Sequence, residues 1–168
     1  GGGTWTTYTL DISAGELFIS VGNPSPDLLP EKRPGENLFT DTLVVLDANT
    51  GKLKWYHQVL SNDSQDLDLA AAAVLYHNKT GQRMVGFGSK DGYVYGVNRE
   101  TKERVFKTAI TTIKNSGVAP TIEGIEVCPG PLGGVEWNGA AFDRPNHALI
   151  FGSVDWCATI AAAESFDY

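Results

Sequence analysis

At 168 residues, with 42% hydrophobic and 20% charged side chains, the chain can bury one sizeable core; it is small for two domains and does not have the balance of a disordered protein. Twenty acidic residues against 13 basic ones give a net charge of −7, and Lys and Arg form no stripe, which argues against nucleic acid as a partner. No apolar run reaches membrane-spanning length, and no charged-then-apolar leader opens the chain.

The opening "GGGTWTTYTL" reads as the interior of a longer sequence rather than a natural start, and it carries an early tryptophan, Trp5. "DISAGELFISVGN" (11–23) follows, a polar turn, an apolar strand and a closing Gly-Asn. "GNPSPD" (22–27) contains Asn23 among turn-forming residues and by itself reads as a turn. In "VVLDANTGKLKW" (44–55) a strand ends in Asp47, a turn runs through Thr50 and Gly51, and Trp55 closes the stretch.

"SQDLDLA" (64–70) places Asp66 and Asp68 on the same side of a strand; alone, they read as solvated loop acids. The Ala run of "DLDLAAAAVLYH" (66–77) favours helix by propensity. In a chain of short strands, "AAAVLYH" is expected to be a strand instead. "HNKTGQRMVGFGSKDG" (77–92) repeats the grammar of 11–23 and ends on Lys90, in isolation a surface lysine. Asp91-Gly92 predicts a two-residue hairpin turn into "YVYGVN", whose alternation is that of a strand.

"VYGVNRETKERVF" (94–106) then copies residues 44–55, with Asn98 for Asp47, Thr101 for Thr50 and Phe106 for Trp55, 51 positions on. The Gly-rich "CPGPLGGVEWNG" (128–139) holds Glu136 and Trp137, and "DRPNHALIFGSVDW" (143–156) gives the turn-strand grammar a third time. Cys128 and Cys157 are either two buried thiols or a disulfide closing the loop between them. With His57, His77 and His147 scattered, they do not make a zinc site.

A unit of roughly 40–50 residues containing several strands predicts β-propeller blades. The fold is expected to be all-β, with residues 1–168 forming about three four-stranded antiparallel blades. The repeated turn reverses the chain between outer strands, and the following aromatic packs on the neighbouring sheet. Three blades leave two open faces, so the remaining blades of a larger ring, or other copies, are expected to cover them.

The succession "TWTTYTLD", "GNPSP", "RPGENLFTDTLVVLDANTGKLKW", the acidic pair, "SKDGYVYGVN" and "CPGPLGGVEWNG" through "DWC" resembles the pyrroloquinoline-quinone (PQQ)-dependent alcohol and methanol dehydrogenases, which are eight-bladed quinoproteins. The resemblance covers nearly the whole chain and implies a middle fragment of such a ring. It implies that Trp5 stacks on the quinone, that Lys90 bonds its oxygens, and that Glu136 and Trp137 lie by the cofactor. It makes Asp66 the base for an alcohol hydroxyl, and Asn23, Asp66 and Asp68 ligands of Ca²⁺ or, given the extra charge of Asp68, a lanthanide. It pairs Cys128 with Cys157, which implies a periplasmic or secreted protein, and it implies a cytochrome c-type electron acceptor.

Three positions depart from the family. Gln65 stands where an aromatic or His precedes the base, Glu136 where an Asn precedes the tryptophan, and Asp27 where many members have an aromatic. A further metal-ligating Glu of the family and its vicinal-disulfide region would lie ahead of Gly1. A non-catalytic propeller scaffold with the same repeat is the alternative, and it has no use for Trp5, Asn23, Asp66 and Lys90 together.

Overall fold

Twelve short strands and one 3₁₀ turn make up the regular structure of the computed structural model, which describes residues 1–163. Strands β1 (Thr9–Asp11), β2 (Glu16–Val21), β3 (Thr42–Asp47) and β4 (Leu53–Gln58) form one antiparallel sheet in chain order. Strands β5 (Val74–His77), β6 (Arg83–Gly88), β7 (Tyr93–Asn98) and β8 (Arg104–Ala109) form a second of the same design. These are two propeller blades. Outside them, the 3₁₀ turn Pro30–Lys32 sits in the β2–β3 connection. No helix among the described residues is long and apolar enough to cross a membrane.

The repeat noticed in the sequence is a repeat of turn chemistry. Asp47 Oδ1 accepts the backbone N–H of Asn49 (3.1 Å) and Thr50 (2.8 Å), and Asn98 Oδ1 accepts those of Glu100 (2.8 Å) and Thr101 (3.2 Å). Four residues after each, Gly51 (φ 70°) and Lys102 (φ 66°) occupy the left-handed region that closes the turn. The register shifts at the same place in both blades, between Val45 and Leu46 and between Gly96 and Val97. The bulge is thus part of the unit.

Trp55 and Phe106 face the same way in their blades. Trp55, 8% exposed, meets Phe18 edge-on at 6.1 Å, and Lys102 of the next blade lays its ammonium 4.8 Å from the indole centroid. Phe106 lies across Gly96, where an added Cβ would come within 2.1 Å of the ring. The core lies between the blades: Phe18, Leu43, Val45 and Trp55 pack against Val85, Phe87, Tyr95 and Val97. The Ala run contributes to it.

Only Val74–His77 of the predicted "AAAVLYH" strand is β, and the run before it is neither helix nor strand. That run crosses from one blade to the next, with Ala71 and Leu69 fully buried. Its carbonyls are taken by side chains of the first blade: Ser20 Oγ donates to Ala71 O (2.6 Å), Thr9 Oγ1 to Ala73 O (2.6 Å), and Thr6 Oγ1 to Ala70 O. Small side chains are needed where backbone meets sheet this closely.

Two expectations change in detail. The β6–β7 connection is wider than a two-residue turn, because Ser89 N donates to Tyr93 O (3.1 Å) and Gly92 N to Ser89 O (3.2 Å). Asp91 turns inward there to accept Tyr93 N (3.2 Å) and the buried Tyr95 hydroxyl, so it cannot serve as a simple hairpin corner. The third unit is also not a four-stranded sheet among the described residues. It consists of two separate pairs, β10 (Ala141–Asp143) with β11 (Ala148–Ile150) and β9 (Ile125–Val127) with β12 (Ala158–Ile160). The Gly- and Pro-rich segment 128–139 interrupts the period-two pattern between them.

Candidate active site

One end of both blades gathers the residues singled out above. There β2 runs out at Val21 and delivers Asn23, the β4–β5 connection carries Asp66 and Asp68, and the β6–β7 tip carries Lys90. Asp68 is the knot of the group. Its Oδ1 accepts the backbone N–H of Asn23 (2.9 Å) and, at 3.4 Å, the indole N–H of Trp5. Its Oδ2 accepts the Lys90 ammonium at 3.0 Å, and its carbonyl accepts Lys90 N at 3.2 Å. Gly22 makes this possible, since a Cβ there would lie 2.3 Å from Asp68 Oδ1.

Lys90 has three carboxylate neighbours: Asp68, Asp66 Oδ2 at 3.1 Å and Glu136 Oε1 at 3.8 Å. Its side chain is only 5% exposed, so a positive charge sits in a nearly dry acidic nest. Burial opposes its charge, but Asp66 and Asp68 outweigh that and raise its pKa. Burial raises the Asp66 pKa to about 6; Lys90 draws it down, and Asp68 and Asp27 push it up. Glu136 is likewise raised, mainly by burial.

Asp66 has a left-handed backbone (φ 61°), an uncommon state for a non-glycine residue. The preceding Asp63 holds it there, its Oδ1 accepting Gln65 N (2.9 Å) and its Oδ2 Leu67 N (2.8 Å). Asp63 was not singled out in the sequence, although Asn62-Asp63 before the acidic pair is an Asx-turn signature. Asp41, at the entry to β3, also escaped notice. It is fully buried, and neither of its carboxylate oxygens has a hydrogen-bond partner among the described residues.

The structure therefore brings Trp5, Asn23, Asp66, Asp68, Lys90 and Glu136 into one cluster. Trp137, 66% exposed, makes no hydrogen bond to it. Cys128 and Cys157 form a disulfide.

Two features bear on a metal and a flat cofactor. The oxygens gathered here are the carboxylates of Asp66, Asp68 and Glu136, the hard ligand type that Ca²⁺ or a lanthanide takes, and Asn23 meets them through its backbone N–H. Such cations take six or more oxygens. Among the described residues no three His, Cys, Asp or Glu side chains stand close enough to hold one, so these acids do not complete such a shell by themselves. The Trp5 indole, 51% exposed above the cluster, offers the flat apolar face a planar ring needs.

The two four-stranded antiparallel sheets define a segment of a β-propeller. The chain belongs to the family whose model is described as the glucose/ethanol/alcohol dehydrogenase β-propeller domain (PQQ), which matches residues 1–123. It is similar to the quinohemoprotein alcohol dehydrogenase of Comamonas testosteroni, 25% identical over 90% of this chain and 24% of that protein. It is also similar to the lanthanide-dependent methanol dehydrogenase of Methylorubrum extorquens, 28% identical over 61% of this chain and 18% of that protein. The solved structure of the quinohemoprotein alcohol dehydrogenase ADHIIG from Pseudomonas putida HK5 shares the fold, with a TM-score of 0.84 over 98% of this chain and 27% of that one, at 20% identity. The chain thus spans less than a third of the length of these relatives.

Proposed function

We propose that this chain is part of a PQQ-dependent dehydrogenase that oxidises an alcohol, with Asp66 as the base. The observation that supports this best is the convergence of Trp5, Asn23, Asp66, Asp68 and Lys90, from four separate stretches of sequence, at one end of two blades. A non-catalytic scaffold needs the turns at Asp47 and Asn98 but has no use for that set.

PQQ bound to a metal supplies the hydride acceptor, and the chain's own residues prepare the rest. Asp66, with a pKa of about 6, is a carboxylate at neutral pH and basic enough to take a hydroxyl proton. Lys90 keeps its charge and offers an N–H to an oxygen that becomes negative. Trp5 orients a planar ring, and Asp68 fixes both Trp5 and Lys90 in register. Asn23, Asp66 and Asp68 are the residues that would hold the metal, whose charge would polarise a quinone oxygen. The added charge of Asp68 suits a trivalent lanthanide as well as Ca²⁺.

The remaining partners are an electron acceptor of the cytochrome c type and the rest of the ring. Exposed Leu132, Ile150 and Trp156 give those further blades an apolar surface to cover. The disulfide supports a periplasmic or secreted location.

The test is to load the full-length protein containing this segment with PQQ and either Ca²⁺ or a lanthanide, and to measure dye-linked oxidation of primary alcohols. Turnover is expected with one of the metals, and Asp66→Asn should lower kcat by about 10²-fold or more, the usual contribution of a general base. No turnover with any alcohol under either metal leaves the scaffold as the function.

A further inference from the structure

Gln65 stands next to the base, and its side chain is bonded to a different segment of the chain. The carboxamide is 1% exposed and donates from Nε2 to two backbone carbonyls, Asn115 O (2.8 Å) and Val118 O (2.7 Å), while its Oε1 takes a long bond from Gly117 N (3.4 Å). Both amide hydrogens are thus spent on a single turn. That turn, 115–118, lies in the connection that leaves β8 at the site end, and it is exposed along its length. Asn115 (φ 52°) and Gly117 (φ 75°) give it a conformation with few alternatives.

Its other side is anchored as well. Asn115 Nδ2 donates to Glu126 O (2.9 Å), and Lys114 and Cys128 exchange backbone bonds of 2.9 and 3.0 Å. The turn therefore bridges the Asp66 loop to β9 and to the disulfide cysteine Cys128 just beyond it.

From this we propose that Gln65 is a positioning residue that latches the 115–118 turn beside Asp66, and that the latched turn limits the size of alcohol reaching the base. The first half stands on geometry alone; the second rests on the dehydrogenase reading. Asp66 keeps its own support without the latch, because Asp63 holds the backbone of Gln65 and Leu67 and the Gln65 side chain takes no part in that. Losing the carboxamide frees the turn and leaves the base in place.

The test compares Gln65→Met, which keeps volume and loses both donors, and Gln65→Glu, which keeps shape and sets a carboxylate against two carbonyl oxygens, in the full-length protein. Hydrogen exchange needs no activity. The amides of Gly117 and Val118 should exchange about tenfold faster in both variants, the factor for one ordinary hydrogen bond lost, with Val85 and Val97 unchanged. In the loaded enzyme, kcat for ethanol should stay within about twofold, while kcat/KM for a bulky alcohol relative to ethanol rises about tenfold.

Unchanged exchange at Gly117 and Val118 overturns the latch. Faster exchange at Val85 and Val97 as well overturns it too, since that is the mark of a plain core residue. Faster local exchange with an unchanged bulky-to-small ratio overturns the size limit and keeps the latch. A wild-type enzyme without turnover overturns the dehydrogenase reading and the size limit with it, while the exchange arm still decides the latch.

Discussion

Asp41 places a carboxyl group where water does not reach and where no described donor meets it. Burial pushes its pKa up to about 8; Asp63 and Asp68 add to the rise, and Arg33 offsets part of it. The folded state thus binds a proton that the unfolded chain releases near pH 4. A folded pKa above the unfolded one means stability is fully present below the unfolded value and is lost as pH climbs through the folded value. Asp41→Asn, neutral at every pH and of the same shape, is expected to be close to the parent at pH 4 and more stable at pH 8. Denaturant titrations at those two pH values check this, and equal differences at both would refute a proton on Asp41. Nothing in "FTDTLVV" marked this residue, because burial of a polar strand-entry residue depends on what two other segments bring to it.

Between elements, the two aromatics that made the repeat visible carry unequal loads. Trp55 is enclosed by the next blade, whereas Phe106 lies half-buried on the face turned toward the incomplete third unit. Trp55→Ala is expected to cost about 3–5 kcal/mol, the range for a large buried aromatic, and Phe106→Ala clearly less. Urea unfolding of both variants measures the difference, and equal losses would mean that blade-to-blade burial is not what the repeat supplies.

The repeat was readable because local chemistry enforces it, with an Asx turn, a left-handed closing residue and a bulge at fixed offsets. Its second copy hides one part, since Lys102 adopts the φ for which Gly51 is the usual signal. The cluster of Trp5, Asn23, Asp66 and Lys90 was legible through its family pattern. Asp63 and Gln65 act through backbone groups, which accept bonds whatever the residue type, so no identity in the sequence announces their partners. Among the described residues the third unit shows only two strand pairs: turn-strand grammar predicts a hairpin, and β10–β11 is one, but grammar alone does not supply the strands beside it.

Over the whole molecule, the end of the blades away from the site is joined by charge. Arg99, 5% exposed, reaches back from the second blade to Asp11 Oδ2 and Glu16 Oε2 of the first, both at 2.6 Å, and lays its guanidinium 5.0 Å from the Phe18 centroid. Arg83 adds a second contact to Asp11 (3.2 Å), and Lys54 one to Glu16 (3.2 Å). The Asp11 carboxyl is held well below the usual range by hydrogen bonds from Ser13 and Arg99. For Glu16, burial works upward, but Arg99 and Lys54 outweigh it and the pKa falls. Depressed carboxylates give stability that is present above their unfolded pKa values, near 4, and lost as pH falls through the folded ones. That is the reverse of Asp41, so the two ends of the blades set opposite limbs of one pH profile. Arg99→Met removes the shared guanidinium and leaves Glu16 buried beside a single lysine, at an expected cost of about 3 kcal/mol at pH 7. Because the variant has less carboxylate pairing to lose, its stability should also fall less steeply than the parent's between pH 4 and pH 2, while the decline from pH 4 to pH 8 due to Asp41 persists. Denaturant midpoints of parent and variant across pH 2 to 8 separate the limbs. An unchanged acid limb would assign acid sensitivity to other carboxylates and leave Arg99 as a packing residue over Phe18.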